Sequence, residues 1–409
     1  MKRLFSACIF SLLCASFPLT VSARQVDPLF GDTIDRSVAD FVTVSLMVAD
    51  PGDVLYSTMG HAALHLQCPT FGLDYVFSYE SENVQEKIFT FLKGNLKMGM
   101  FALDLDTFLL PYRQEGRGVK EYTMNLEPTQ EQELWRVMDQ MVAQGANLPY
   151  NYFERGCAKS VVTIIHQVVG SNGIHYAPWS DKYTKQTIRE LGCSFAKESQ
   201  WQLFVLHCFI SGIFDKEIPN EQKLVIPTDL VEVWQTATFA NGKPVINSEP
   251  HVLLPSIYST RAGWFTPMVA ALMLLALALC SLATHFTTNR PLRIVGTIFD
   301  YVILAVVTAL GIFMTYLIVF SSLPCTQWNW LIIPFNILPA ILWYWRRYWA
   351  LPYALVLVVW TIGIITWPHR LVDPAQIILT TAFIICLLAN SPLVLNHISF
   401  KLRGTNKMV

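Results

Sequence analysis

The last third of the chain constrains it most. After Arg261 five apolar stretches follow one another, Trp264 to Thr284, Thr297 to Leu323, Trp330 to Trp345, Leu351 to Trp367 and Ile377 to Leu395. A lipid core about 30 Å thick asks for roughly 20 apolar residues per helix, so this region reads as an all-α bundle of about five transmembrane helices. The third stretch is short and carries Pro334 and Pro339. Lys and Arg are retained on the cytoplasmic side, and Arg290, Arg293, Arg346, Arg347, Lys401, Arg403 and Lys407 all fall on one side of a five-crossing path. Residues 262–397 are therefore expected to form the bundle and 398–409 a cytoplasmic tail. Trp264, Trp328, Trp330 and Trp367 would mark the outer interface and Trp343, Trp345 and Trp349 the inner one.

The other end of the chain fixes which side the rest lies on. Met1-Lys2-Arg3 is a positive start, Leu4 to Leu19 is apolar, and Val21-Ser22-Ala23 is a small-residue processing site, so residues 1–23 read as a signal peptide. A retained signal anchor would leave the sidedness unchanged. Residues 24–261 have no apolar run long enough to span a bilayer and are expected to form one extracytoplasmic domain. With 53% hydrophobic and 14% charged residues, and 29 basic against 30 acidic groups, the chain has no basic field for nucleic acid, and that class is set aside.

Within this domain, alternation from Gly60 predicts a strand with His61, Ala63, His65 and Gln67 on one face and Ala62, Leu64, Leu66 and Cys68 on the other. A second strand is expected over Leu73 to Glu80, a third over Lys120 to Leu126, and helices over Asn83 to Leu92 and Glu131 to Gln144. Tyr150 to Ser160 leads into Val161, Val162, Ile164, Ile165, Val168 and Val169 at helical spacing, which leaves Cys157 in the first turn of a helix. There the helix end favours thiolate over thiol. A cysteine at a helix start with a histidine on a facing strand supplies papain-like chemistry: imidazole takes the thiol proton and thiolate attacks a carbonyl. The histidine comes first here, as in circularly permuted members of that group. Cys157 and His61 are thus the candidate nucleophile and base. His65, Asp74, Ser78, Tyr79 and Glu80 are the groups available to orient the imidazole, with Glu80 favoured.

Other cysteines compete. Cys68 lies on the packed face of its strand, Cys193 and Cys208 flank one short segment and could bridge, and Cys325 falls in an outer loop. The histidines have no ligand spacing for a metal, and neither metal nor cofactor is expected.

At these residues the sequence resembles the Bacteroides-type lipoprotein N-acyltransferases (Lnb). Tyr56 to Ala63 is similar to that family's Gly-His-Ser-Ala segment, Phe89 to Gly94 to its Phe-Leu-x-Gly segment, and Tyr112 to Glu121 to its Tyr-x-x-Glu-x-Arg-x-Val-x-Glu segment. Tyr150 to Ala158 resembles an aromatic run ending in Asn-Cys-Ala, with Gly156 where the family has asparagine. The resemblance implies an α+β, permuted papain-like, NlpC/P60-related periplasmic domain on a multi-pass bundle in a bacterial inner membrane. It also implies transfer of an acyl chain from a phospholipid to the α-amino group of a diacylated lipoprotein. On this reading Cys157, His61 and Glu80 are catalytic, Tyr79, Tyr152 and Phe153 line a cleft that keeps water from a thioester, and Arg113, Arg117 and Glu121 line or brace it, Arg117 toward substrate. A cell-envelope thiol peptidase or amidase of the same fold, and a non-catalytic assembly factor, are the alternatives.

Overall fold

The computed structural model describes residues 42–392, apart from 53–56, 70–71, 85, 146, 150, 152–154, 196–199, 258–262, 328 and 368–371. The expected signal peptide, the tail, Tyr152, Phe153 and Trp328 lie outside the described residues.

Short alternating segments build one antiparallel sheet. Its strands in chain order are β1 (Thr43–Ala49), β2 (His61–Cys68), β3 (Leu73–Ser81), β4 (Lys97–Asp104), β5 (Val119–Thr123) and β6 (Leu148–Pro149), with β7 (His251–Leu254) closing one edge. The spatial order is β6-β4-β3-β2-β1-β5-β7. The strand expected over Lys120 to Leu126 is thus the shorter β5, and only Ile88–Leu92 of the helix expected from Asn83 is α-helical. The helix expected at Glu131 starts earlier, at Pro128, where the Gln130 side chain accepts from the Glu127 N–H at 2.9 Å.

Period-two alternation gives this sheet two apolar faces, and both are covered. Val44, Leu46, Leu64, Phe77 and Met100 pack under the helices Pro128–Gln144, Cys157–Val169 and Pro227–Trp234. On the other face Met47, Ala63, Val76 and Leu103 meet Phe108, Leu109 and Tyr112 of the helix Leu105–Glu115. The histidine face of β2 is therefore a second packed face. Gly60 sets the entry to β2: its φ is +80°, and a Cβ there would lie 2.6 Å from the Ala49 carbonyl oxygen, so the turn directly before His61 requires glycine.

The C-terminal region is helical, and among the described residues three helices are long and apolar enough to cross a membrane: Pro267–Thr284, Arg290–Phe320 and Trp343–Thr366. Pro374–Ala389 is apolar but shorter, at 16 residues. The stretch expected as a third helix, from Trp330 to Trp345, is broken into the 3-10 turn Trp330–Ile332, the short helix Leu338–Ile341 and the turn Trp343–Trp345. Pro334 and Pro339 remove two amide donors, and side chains take up the carbonyls left over. The Asn336 amide donates to Ile332 O, Ile333 O and the Tyr353 hydroxyl, Tyr353 donates to Ile333 O, and the Trp360 indole donates to Trp330 O. Trp330 thus lies near Trp360 and Asn336 near Tyr353, so the broken stretch runs antiparallel to the helix Arg346–Thr366, while Trp343 meets Tyr301 of the helix Arg290–Phe320.

One helix before residue 261 packs into this bundle. Gln200–Phe209 places Phe204 and Cys208 in the bundle core, where Gln376 donates to the Cys208 sulfur and Asn329 to its carbonyl at 2.6 Å. From the same helix Gln202 accepts from the Thr58 hydroxyl at 2.7 Å, three residues ahead of His61. Its run of aromatic and aliphatic residues is too short to read as a membrane segment, so only the fold shows where it belongs.

Candidate active site

Cys157 is the first residue of the helix Cys157–Val169, after Gly156 in extended backbone, and it is 8% exposed. The helix lies across β2 and β3. His61 opens β2, and its imidazole lies close enough to the Cys157 thiol for each to shift the other's pKa. Imidazole Nε2 sits 2.7 Å from the Ser78 hydroxyl and 3.5 Å from Glu80 Oε1, so that nitrogen is engaged by β3. Ser78 in turn donates to Glu80 Oε1 at 2.5 Å. The register explains the meeting. Ala63 pairs with Ser78, so two residues back along β2 His61 comes level with Glu80, and side chains at even positions of β3 share its face.

Charge in the site is matched. Burial raises the Cys157 pKa, but the charge and hydrogen bond of His61, with N–H groups of Ala62 and Ala158 aimed at the sulfur, outweigh it and hold the thiol below its usual range. Burial disfavours the imidazolium too, yet Tyr112, Cys157 and Glu80 raise His61 well above its ordinary value. Glu80 is lowered, because His61 and Ser78 overcome its own desolvation. Each shift favours thiolate, imidazolium and carboxylate side by side. Cys193, also buried, goes the other way: desolvation outweighs the Arg189 charge, and its pKa is pushed up to about 11.

Of the groups offered for orienting His61, the structure brings Ser78 and Glu80 together and leaves the rest elsewhere. His65 is buried between Asp74 at Nε2 and Glu121 at Nδ1, the latter 2.5 Å away. Tyr79 points to the opposite face of β3, into the core, where it feels the charge of Arg155. Arg113 is on the surface, 3.7 Å from Asp106. Arg117 is buried behind the site: its guanidinium covers the Tyr112 ring at 4.8 Å, donates from Nε to the Asp50 carbonyl at 2.7 Å and pairs with Glu115 at 3.0 Å. Glu121 braces His65 and also faces His251 at 3.4 Å. All seven described cysteines are free thiols, so Cys193 and Cys208 form no bridge.

Tyr112 is the residue that the sequence reading missed. It is buried, and its phenol is close enough to His61, Glu80, Arg117 and Cys157 to interact with all four, its pKa pushed up to about 12 chiefly by burial. The signal was present in the apolar spacing of Phe108, Leu109 and Tyr112, which turns one side of the helix to the sheet.

A mixed α/β sheet domain joined to a helical membrane region, with a buried thiol–imidazole pair at the sheet's end, defines a membrane protein with its candidate chemistry outside the lipid. The family model described as the Lnb N-terminal periplasmic domain matches residues 33–191, and that described as the Lnb transmembrane domain matches residues 259–397. The chain belongs to the Lnb family. No curated protein and no solved structure matches it.

Proposed function

We propose that this chain is a thioester acyltransferase of the bacterial inner membrane, moving an acyl chain from a phospholipid to the N-terminal amine of diacylated lipoproteins. The observation that carries the chemistry is the pairing of Cys157 at a helix N-terminus with His61, itself backed by Ser78 and Glu80. A helix-start cysteine beside a strand histidine is the working core of a papain-like thiol enzyme, here in permuted order. The acceptor and donor come from the Lnb resemblance.

The Cys157 thiolate attacks the ester carbonyl carbon of the donor. The C–O bond breaks, the departing glycerol oxygen takes the proton from imidazolium His61, and a lysophospholipid leaves. The neutral lipoprotein amine then attacks the thioester carbon, neutral His61 takes its proton, and C–S cleavage returns thiolate and imidazolium. Glu80, directly and through Ser78, holds the imidazole and balances its charge. Tyr79, Tyr152 and Phe153 belong to the wall proposed to keep water from the thioester, and Arg117 serves substrate by fixing Tyr112 and the loop at Asp50.

The proposed topology has residues 1–23 as a signal peptide, 24–261 as the periplasmic domain, 262–397 as five crossings and 398–409 as a cytoplasmic tail. The antiparallel course of Trp330 to Trp345 along the helix Arg346–Thr366 supports the third crossing as a broken helix sheltered by its neighbours. The test is mass spectrometry of lipoproteins from a host depleted of its own N-acyltransferase and expressing this chain. Triacylated N-termini that vanish with Cys157→Ala are expected; diacylated lipoproteins despite full expression would refute the acceptor.

A further inference from the structure

Between β3 and β4 the chain makes the five-residue helix Ile88–Leu92, with sequence Ile-Phe-Thr-Phe-Leu and no buried residue. Phe89 is 71% exposed and Ile88 is exposed beside it. So apolar a segment left uncovered on a periplasmic domain needs a non-aqueous neighbour. Two sets of contacts fix where it lies. Just after it, the Lys93 carbonyl accepts from both the backbone and the hydroxyl of Ser322, each at 3.0 Å, at the outer end of the helix Arg290–Phe320. Gly94, at φ +76°, lets that seam close, since a Cβ would lie 2.4 Å from the Ser322 oxygen. Phe91 meets Phe209 at 6.2 Å between ring centroids, and Phe209 meets Phe313 at 5.6 Å. The helix Arg290–Phe320 stays apolar to its end, and Val319 and Phe320, directly before Ser322, are exposed on the lipid side. The Ile88–Leu92 helix thus lies at the outer end of this helix, beside its last lipid-facing residues.

We propose that this helix is a membrane-docking element: Ile88 and Phe89 enter the outer leaflet beside the bundle and hold the mouth of the Cys157 site at the depth of phospholipid ester groups. Its place in the chain connects it to the chemistry. It lies in the β3–β4 connection, eight residues beyond Glu80, and β3 carries both Ser78 and Glu80. The part of this inference that concerns catalysis rests on the acyltransferase reading; the docking itself does not.

The test uses the full-length chain reconstituted in vesicles of phosphatidylethanolamine and phosphatidylglycerol. A benzophenone amino acid is placed at Phe89 or, as control, at Pro69, which is exposed just past the opposite end of β2 from His61, about 26 Å away at roughly 3.3 Å per residue. Irradiation is expected to crosslink position 89 to radiolabelled phospholipid at least tenfold more than position 69; equal labelling would overturn the docking. In parallel, Phe89→Ser is expected to slow acylation from vesicle phospholipid about tenfold while leaving p-nitrophenol release from a water-soluble short-chain ester unchanged. Rates that fall together, or neither falling, would overturn the delivery role. Crosslinking at 89 with no Cys157-dependent turnover of either substrate would sink the acyltransferase reading and leave the docking standing.

Discussion

His61 and His65 stand four residues apart on one face of one strand, and the two ends of β2 put them to opposite uses. His65 is closed in by a carboxylate at each ring nitrogen, Asp74 and Glu121, with no exposed edge. Its pKa is raised, against its own burial, by hydrogen bonds to those two groups. An imidazolium held on both sides has no proton to exchange with a substrate and serves as a cross-strand tie from β2 to β3 and β5. His61 has its hydroxyl–carboxylate pair on one side only, and a thiol on the other. That asymmetry leaves one nitrogen free to pass a proton. A buried histidine with acidic neighbours is thus by itself no sign of catalysis; what its second nitrogen meets decides.

The contrast breaks most visibly in activity. His61→Asn is expected to cut the acylation rate by about 10²- to 10⁴-fold, the usual contribution of a positioned acid–base group, with little change in unfolding midpoint. An intact rate would make His61 as structural as His65. His65→Ala should do the reverse, costing about 2–3 kcal/mol in denaturant unfolding while activity per folded molecule persists. The figure is below the ~3–5 kcal/mol of a fully buried broken pair because Asp74 is half exposed.

The pH dependence of stability separates the two ends further. His65 has a raised folded pKa, so its contribution is fully present below the unfolded value of 6.5 and is lost as pH rises through the folded one. His65→Ala should flatten stability over that alkaline window. Activity should instead follow a bell. Thiolate is present above the lowered Cys157 pKa and imidazolium below the raised His61 pKa, the two apparent values belonging to the pair. Glu80→Gln removes a charge that raises His61, so its alkaline limb should move to lower pH with a smaller rate loss than in His61→Asn. An unmoved limb would show that the Glu80 charge does not set the imidazole's pKa. The smallest effect expected is at the seam: Gly94→Ala, at positive φ and against Ser322, should destabilise by on the order of 1 kcal/mol, read as a lowered thermal midpoint.

Much of this was legible in the chain. Alternation alone put His61 and His65 on one face, and helical spacing after Gly156 put Cys157 at a helix start. The sequence favours Glu80, but that Ser78 and not Asp74 would join it was not legible, because that depends on the β2–β3 register, which sets Ala63 against Ser78 and Gln67 against Asp74. For Tyr112 the apolar spacing showed which side of its helix packs but not that this side meets the site, which follows only once the helix lies across the sheet. The Gln200–Phe209 helix is too short for a membrane signal, so its place in the bundle core, and with it the free state of Cys208, needed three dimensions. In the bundle, hydropathy located the broken stretch at Trp330 to Trp345 but could not say how Asn336 and Tyr353 would satisfy its carbonyls.

The central claim is that the sulfur facing His61 carries the acyl chain. Intact-mass spectrometry of the reconstituted chain, incubated with phospholipid and no acceptor, tests it directly. A single acyl adduct is expected, mapped to Cys157, released by neutral hydroxylamine as a thioester should be, and absent in Cys157→Ala. Lipoprotein acylation that persists in Cys157→Ala, or turnover by wild type with no adduct ever trapped on Cys157, would contradict the account.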